Sequence, residues 1–300
     1  MSDALITVGI PCFNAEETIE KAIRSALSQE WEKLEILVSD DVSTDKSRDI
    51  VREFVKQDSR VKLLERKDNG GPAATRNTLW KAAKGKYIVF FDDDDSSYPE
   101  RLKTQYERLS EYEKRFPDVP VCCYASGKRR YPNGYQLLMP AIGSLPNIPF
   151  GNVIVDYLLF NGRHKNFFYG SGTPACSLMI SRSVLEKSGG FDENLRRVED
   201  GDLSIRIGLA GGHFIGCQES LFLQYATSAP DKTPHKNLES ELKMIEKYSD
   251  YLREKKLYSY SINWTRLRFY HFNKQRSMFL ITLIKLLLHY PLRSFKHLAM

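Results

Sequence analysis

Four short apolar runs, each followed or preceded by a helical pattern, constrain the first 95 residues to a parallel sheet covered on both faces. Leu5–Ile10, Leu34–Ser39, Val61–Leu64 and Tyr87–Phe91 read as strands. Between them, Asn14 is expected to cap a first helix, with Glu17 three residues on as a capping box. Ile19, Ile23, Ala26 and Leu27 give that helix its apolar face. A second helix is expected over about 46–56, and a third from the Asn69-Gly70-Gly71-Pro72 break to about Ala83. The topology is βαβαβαβ, a doubly wound α/β half.

After Pro99 the pattern loosens. A helix over about 100–112 leads to a strand at Val119–Tyr124, and Pro132-Asn133-Gly134 marks a turn between Lys128–Tyr131 and Tyr135–Met139. Residues 140–172 are rich in Gly, Pro, Asn and aromatics, with weak periodicity. Cys176–Ser181 is strand-like, Arg182–Lys187 is a short helix ending at Gly189-Gly190, and another helix starts near Glu199. His213 falls in a turn after Gly211-Gly212, and from about Pro230 the chain reads as helices alone. This divides it into residues 1–230, an α/β body, and residues 231–300, a basic helical extension.

Open α/β sheets bind ligands outside the carboxyl ends of their parallel strands. Asp92-Asp93-Asp94-Asp95 stands there after the apolar fourth run. Four adjacent carboxylates repel one another, and a hard divalent cation, magnesium or manganese, relieves that repulsion. In extended chain Asp92 and Asp94 face one side and Asp93 and Asp95 the other. The competing reading is a solvated acidic loop that caps the next helix. Asp40-Asp41 ends the second run, either as turn and cap residues or as an acceptor for a base N–H. Glu199-Asp200-Gly201-Asp202 either complements a helix dipole or supplies a general base.

Charge separates the two parts. Residues 251–300 hold ten Lys/Arg against one acid, Glu254, so the tail carries +9 of a whole-chain +6 and the first 250 residues sum to −3. Mixed with Trp264, Phe269, Phe272, Phe279 and Leu286–Leu288, these cations suit either a surface for anionic lipid or a helical subdomain or dimer contact packed on the body. An acidic body argues against nucleic acid. No run reaches the roughly 18–20 apolar residues of a membrane span; Met278–Leu288 is too short and includes Lys285. The N-terminus shows no secretory pattern, and five cysteines without CxxC spacing read as reduced, buried thiols, which implies a cytoplasmic protein.

The motifs, taken in order, resemble those of the family-2 inverting glycosyltransferases, which have the A-type glycosyltransferase fold. They are Val8-Gly9-Ile10-Pro11-Cys12-Phe13-Asn14, Ser39-Asp40-Asp41-Val42-Ser43-Thr44-Asp45, Asn69 to Asn77, Phe91 to Asp95 with Pro99 and Leu102, Gly189 to Glu193, and Glu199-Asp200. The resemblance spans about residues 4–225. It implies a nucleotide-sugar site at Pro11, Phe13, Asn14, Asp41, Arg76, Asp92 and Asp93, with Asp41 on the base, in this family usually uracil. It implies a metal on Asp94, a catalytic base at Asp200, and Glu199 as its neighbour or understudy. The implied reaction is transfer of one sugar from a UDP-sugar to a saccharide or lipid-linked saccharide acceptor in cell-surface polysaccharide synthesis. The implied place is the cytoplasm or the inner face of the plasma membrane. Two positions depart from the family pattern: Cys12 where Thr, Val or Ser is commoner, and Val42 where Gly is frequent, so the turn after Asp41 is expected to differ. The Gln-x-x-Arg-Trp motif of processive synthases is missing.

The aromatic segment 140–172 is assigned to the acceptor pocket, with His164, Lys165, Phe167, Phe168 and Tyr169 as candidates. A nucleotidylyltransferase would carry a Gly-rich loop with Arg after strand one, and a dehydrogenase G-x-G-x-x-G; Pro11-Cys12-Phe13-Asn14 fits neither. A non-catalytic sugar-binding module is the alternative of a different class.

Overall fold

A computed structural model describes residues 4–226 and 233–298. The boundary expected near residue 230 lies outside the described residues, as does the side chain of Lys296. In chain order the first half runs β1 (Ile6–Cys12), α1 (Ile19–Leu27), β2 (Leu34–Asp40), α2 (Ser47–Gln57), β3 (Val61–Glu65), α3 (Gly71–Ala82), β4 (Tyr87–Phe90), β5 (Ser96–Ser97) and α4 (Arg101–Arg115). It continues through β6 (Val121–Arg130), β7 (Gln136–Met139), α5 (Asn152–Phe160), β8 (Leu178–Ser181), α6 (Arg182–Ser188), α7 (Glu199–Leu209) and β9 (His213–Tyr225). The extension is α8 (Pro234–Lys247), α9 (Ser249–Glu254), α10 (Tyr258–Phe272), α11 (Arg276–His289) and α12 (Pro291–Leu298).

The strands form one mixed sheet in the order β3-β2-β1-β4-β8-β6-β9-β5, with β7 paired to β6. β3, β2, β1 and β4 are parallel, so their carboxyl ends meet one edge; Cys12 lies opposite Asp40 there. β8 runs antiparallel to both β4 and β6. The apolar runs are strands because both faces are covered. Ile6, Val8 and Ile10 are fully buried, as is every residue of β4. One core joins β1, β2 and β4 to α1, α2 and α4; a second, on the opposite face, joins the sheet to α3, α5, α6 and α7. A third unites Val155, Leu159 and Phe160 of α5 and Ile205 of α7 with Met244, Tyr260 and Leu286 of the extension. The extension therefore packs on the body through one face. No helix among the described residues is long and apolar enough to cross a membrane.

Three local expectations are corrected. Asn14 does not cap α1, which begins at Ile19 after Thr18. Asn14 sits at φ 48°, a left-handed conformation that Asn tolerates, and its Oδ1 accepts from Thr44 N at 2.8 Å. His213 is not in a turn; it opens β9, with Nδ1 2.8 Å from the Tyr112 hydroxyl. The weakly patterned 140–172 contains α5, whose burial comes from α7 and α10. The five cysteines are all buried free thiols, as expected.

Candidate active site

The loops after β1 and β2 are laced together at the carboxyl edge. Asn14 N donates to Ser43 Oγ at 2.9 Å, Ala15 N to Ser47 Oγ at 2.8 Å and Glu16 N to Asp45 Oδ2 at 3.0 Å. Pro11 is half-buried and Phe13 is 49% exposed, so the ring faces solvent at the carboxyl edge of the sheet. Asp41, 3% exposed, is committed inward. Its carboxylate accepts from Arg66 Nε at 2.9 Å, Gly70 N at 2.9 Å and Gly71 N at 2.7 Å. With about four lone-pair sites on a carboxylate, about one is left for a ligand. Val42, next in the chain, holds φ 68°. A β-branched residue in that region is strained, so the turn keeps a glycine-like backbone although glycine is gone. Val198, just before Glu199, holds φ 60° as well. Strain at both loops is sustained only because the surrounding packing fixes them.

The Asp92–Asp95 run is not extended. Asp95 N donates to Asp92 O at 3.3 Å, which folds it into a turn. The extended geometry expected for the run is thereby corrected: in the turn, Asp92, Asp95 and Cys176 each bring a ligating atom within 4.8 Å of the others. Asp93 turns to β1, where its Oδ2 accepts from Phe13 N at 3.0 Å. Asp95 accepts from Tyr225 N at 3.2 Å and from Gln224 Nε2 at 3.4 Å, and so ties the end of β9 to the acidic turn.

Arg76 connects this turn to the second acidic cluster. Its Nη2 donates to Asp92 Oδ1 at 3.1 Å and its Nη1 to Glu199 Oε1 at 2.6 Å, and both Arg76 and Glu199 are buried. Asp200 is half-buried at the first turn of α7; its Oδ1 accepts from Gly201 N at 2.7 Å. The structure thus brings Arg76, Asp92 and Glu199 into contact and leaves Asp200 beside them. Sequence reading missed Cys176, Arg66 and Arg101. Arg101 is fully buried under the acidic turn, where its Nη2 donates to Cys176 O at 2.8 Å and to Phe90 O at 3.2 Å. Nothing in its spacing marks it; only its place just after Pro99-Glu100, in the motif that follows the acidic run, is suggestive.

Electrostatics here favour a cation. Burial pushes the Asp93 carboxyl up to about 7, against the opposing hydrogen bond from Phe13. Burial, then the charges of Asp92 and Asp94, raise Asp95. Carboxylates suit a hard divalent ion, and a cation relieves both the burial and the repulsion. Burial holds the Cys176 thiol well above its ordinary value, so it stays protonated and is a poor ligand for such an ion. The pH dependence follows by linkage. Unfolded carboxylates ionise near pH 4, whereas folded Asp93 and Asp95 keep their protons toward neutrality, so the folded state binds more protons in that window and loses stability as pH rises. The melting temperature of the metal-free chain is expected to fall between about pH 5.5 and about pH 7.5, and manganese is expected to shrink that fall. A melting temperature flat across the window would contradict these placements.

Comparison with known proteins bears on the family and the fold. The sequence profile described as "Glycosyl transferase family 2" matches residues 7–188. The UDP-Glc:alpha-D-GlcNAc-diphosphoundecaprenol beta-1,3-glucosyltransferase WfgD of Escherichia coli is 43% identical over 109 residues, covering 36% of this chain and 42% of that one. The GalNAc(5)-diNAcBac-PP-undecaprenol beta-1,3-glucosyltransferase of Campylobacter jejuni is 36% identical over 107 residues, 35% of either chain. The matched stretch therefore spans less than half the length of these curated relatives. Among solved structures, S. aureus TarS 1-349 in complex with UDP-GlcNAc superposes with a TM-score of 0.62 at 18% identity, covering 93% of this chain and 79% of that one, a likeness of fold.

Proposed function

The chain belongs to the family-2 glycosyltransferases, and on that premise we propose that it moves one sugar from a UDP-sugar to a hydroxyl of a saccharide or lipid-linked saccharide, with inversion, in cell-surface polysaccharide synthesis. The observation that supports this reading is the Arg76 bridge between Asp92 and Glu199, which holds the acidic turn and the start of α7 on the two sides of one buried cation. Pro11, Phe13, Asn14 and Asp41 would line the base and ribose, with the remaining lone pair of Asp41 facing a base N–H. Asp94, with Asp92 and Asp95 in the same turn, would hold manganese or magnesium, which when bound would supply Lewis-acid neutralisation of the leaving diphosphate. Asp200 would accept the proton of the attacking acceptor hydroxyl. The test is a panel of nucleotide sugars read by thermal stability of the full chain. A UDP-sugar is expected to raise the melting temperature more with manganese than without it; a panel in which no nucleotide stabilises the chain sinks the proposal.

The relatives that act on undecaprenol-linked sugars make a membrane-borne acceptor the natural one, and the extension suits it. α11 exposes Leu280, Ile281, Ile284 and Leu288, and α12 exposes Leu292 and Phe295. Lys274, Arg276 and Lys285 stand exposed along the same stretch, and the chain has no acid after Glu254. Exposed apolar side chains rimmed by cations fit an anionic bilayer surface on the cytoplasmic side. Because α10 and α11 share a core with α5, point variants are cleaner than truncation. Ile284→Glu with Leu288→Glu is expected to abolish pelleting with phosphatidylglycerol vesicles; pelleting equal to wild type would remove the membrane reading.

A further inference from the structure

A cavity of about 410 Å³ opens in the connection from α5 to β8, walled by Arg163, His164, Lys165, Phe167, Phe168 and Tyr169. None of its lining residues is acidic. Among the described residues, no carboxylate forms an ion pair with Arg163 or Lys165; the nearby Asp156 is taken by Tyr251 and Lys255. Arg163 is held instead by Asn161 Oδ1 at 3.1 Å and by the rings of Tyr157 and Tyr169, 5.3 and 6.0 Å from its guanidinium carbon. The loop is tied down: the Tyr169 hydroxyl accepts from His164 N at 3.0 Å, Ser171 N donates to Pro140 O at 2.8 Å and Gly143 N to Phe168 O at 3.2 Å. Gly170 sits at φ 48°, where a Cβ would lie 2.2 Å from Pro140 O, so the wall is pressed against its neighbour. Arg163 and Lys165 are both exposed and line the cavity together with aromatic side chains. They match an anion with several phosphate oxygens beside an apolar or sugar moiety.

The cavity has two neighbours that give it a direction. Pro140 also lines a narrow cleft with Gly172, Pro174 and Ser177, and Ser177 follows Cys176 of the acidic group. Arg293 of α12 lies 4.9 Å from the ring centroid of Phe160, three residues before Arg163. Along the chain the cavity is thus joined to the acidic group through Pro140 and Ser177, and to α12 through Phe160.

We propose that this cavity seats the diphosphate of a lipid-linked acceptor, with the lipid leaving toward α11 and α12 and the sugar toward the acidic turn. This rests on the acceptor reading above, and the experiment separates the two. Farnesyl diphosphate is titrated into the full chain by calorimetry, with UDP and manganese saturating the donor side. Arg163→Ala with Lys165→Ala is expected to weaken that binding about tenfold or more, with UDP affinity unchanged and the exchange Arg163→Lys with Lys165→Arg retaining most of it. Equal farnesyl diphosphate affinity in the alanine pair and the wild type overturns the site, as does farnesol binding as tightly as the diphosphate. Inorganic pyrophosphate binding as tightly as farnesyl diphosphate would keep the diphosphate contact and overturn the lipid-linked source. Loss of UDP binding in the wild type would fail the donor reading alone, because the effect of the alanine pair is read on a different ligand.

Discussion

Asp200→Asn is expected to lower kcat by about 10²–10⁴ while the affinity for UDP and manganese stays near that of the wild type. The attacking hydroxyl must lose its proton as the new bond forms, and a carboxylate beside the acidic turn is the group that can take it. Asp200 is half-buried at the start of α7, where its Oδ1 accepts from its own neighbour, Gly201 N, at 2.7 Å. Asparagine keeps that oxygen, the size and the position, and removes only the capacity to accept a proton. Glu199 is placed differently. It is buried and its Oε1 is bound to Arg76 at 2.6 Å, so taking up a proton would remove the negative charge that the bridge depends on. Single-turnover rates and calorimetric UDP titrations on Asp200→Asn and Glu199→Gln decide between them. Wild-type turnover in Asp200→Asn removes it as the base; loss of turnover with intact UDP binding in Glu199→Gln alone would move the role there.

The contrast between these two neighbours shows where sequence reading stops. The strands at β1, β2 and β4 were legible because burial on both faces leaves continuous apolar runs, and the acidic turn was legible because four carboxylates have no local reason to adjoin. What the run does in space was not. A turn brings Asp92 to Asp95, and spacing along an extended chain pairs Asp92 with Asp94 instead. Asn14 misled for a similar reason: its partner, Thr44, is thirty residues away, and a local capping box describes the same letters. β9 hid because its middle, Gln218-Glu219-Ser220, is polar and pairs with β6 across register shifts, so no alternation survives. α5 hid because its apolar, β-branched start resembles a strand and its burial is supplied by later helices. The roles of Arg66 and Arg101 depend on contacts that no periodicity encodes.

Arg76 is the strongest case, since its partners stand 16 and 123 residues away. Arg76→Met should cost about 3–5 kcal/mol of stability, because removing one member of a buried ion pair strands the other. Methionine replaces the stem and not the charge, leaving Glu199 buried without its cation beside an Asp92 that has lost a donor. The effect should be partly reversible by removing the stranded charge: Arg76→Met with Glu199→Gln is expected to lose less than the two single variants summed, a coupling that urea unfolding of the four proteins measures directly. Activity should not recover with stability. The bridge fixes the acidic turn relative to the start of α7, and misplacement of reacting groups by about 1 Å can cost about 10²-fold in rate. A double variant that folds well and turns over slowly would therefore identify Arg76 as a positioning residue. Additive unfolding energies, or full turnover in the double variant, would mean that the bridge holds neither the fold nor the site.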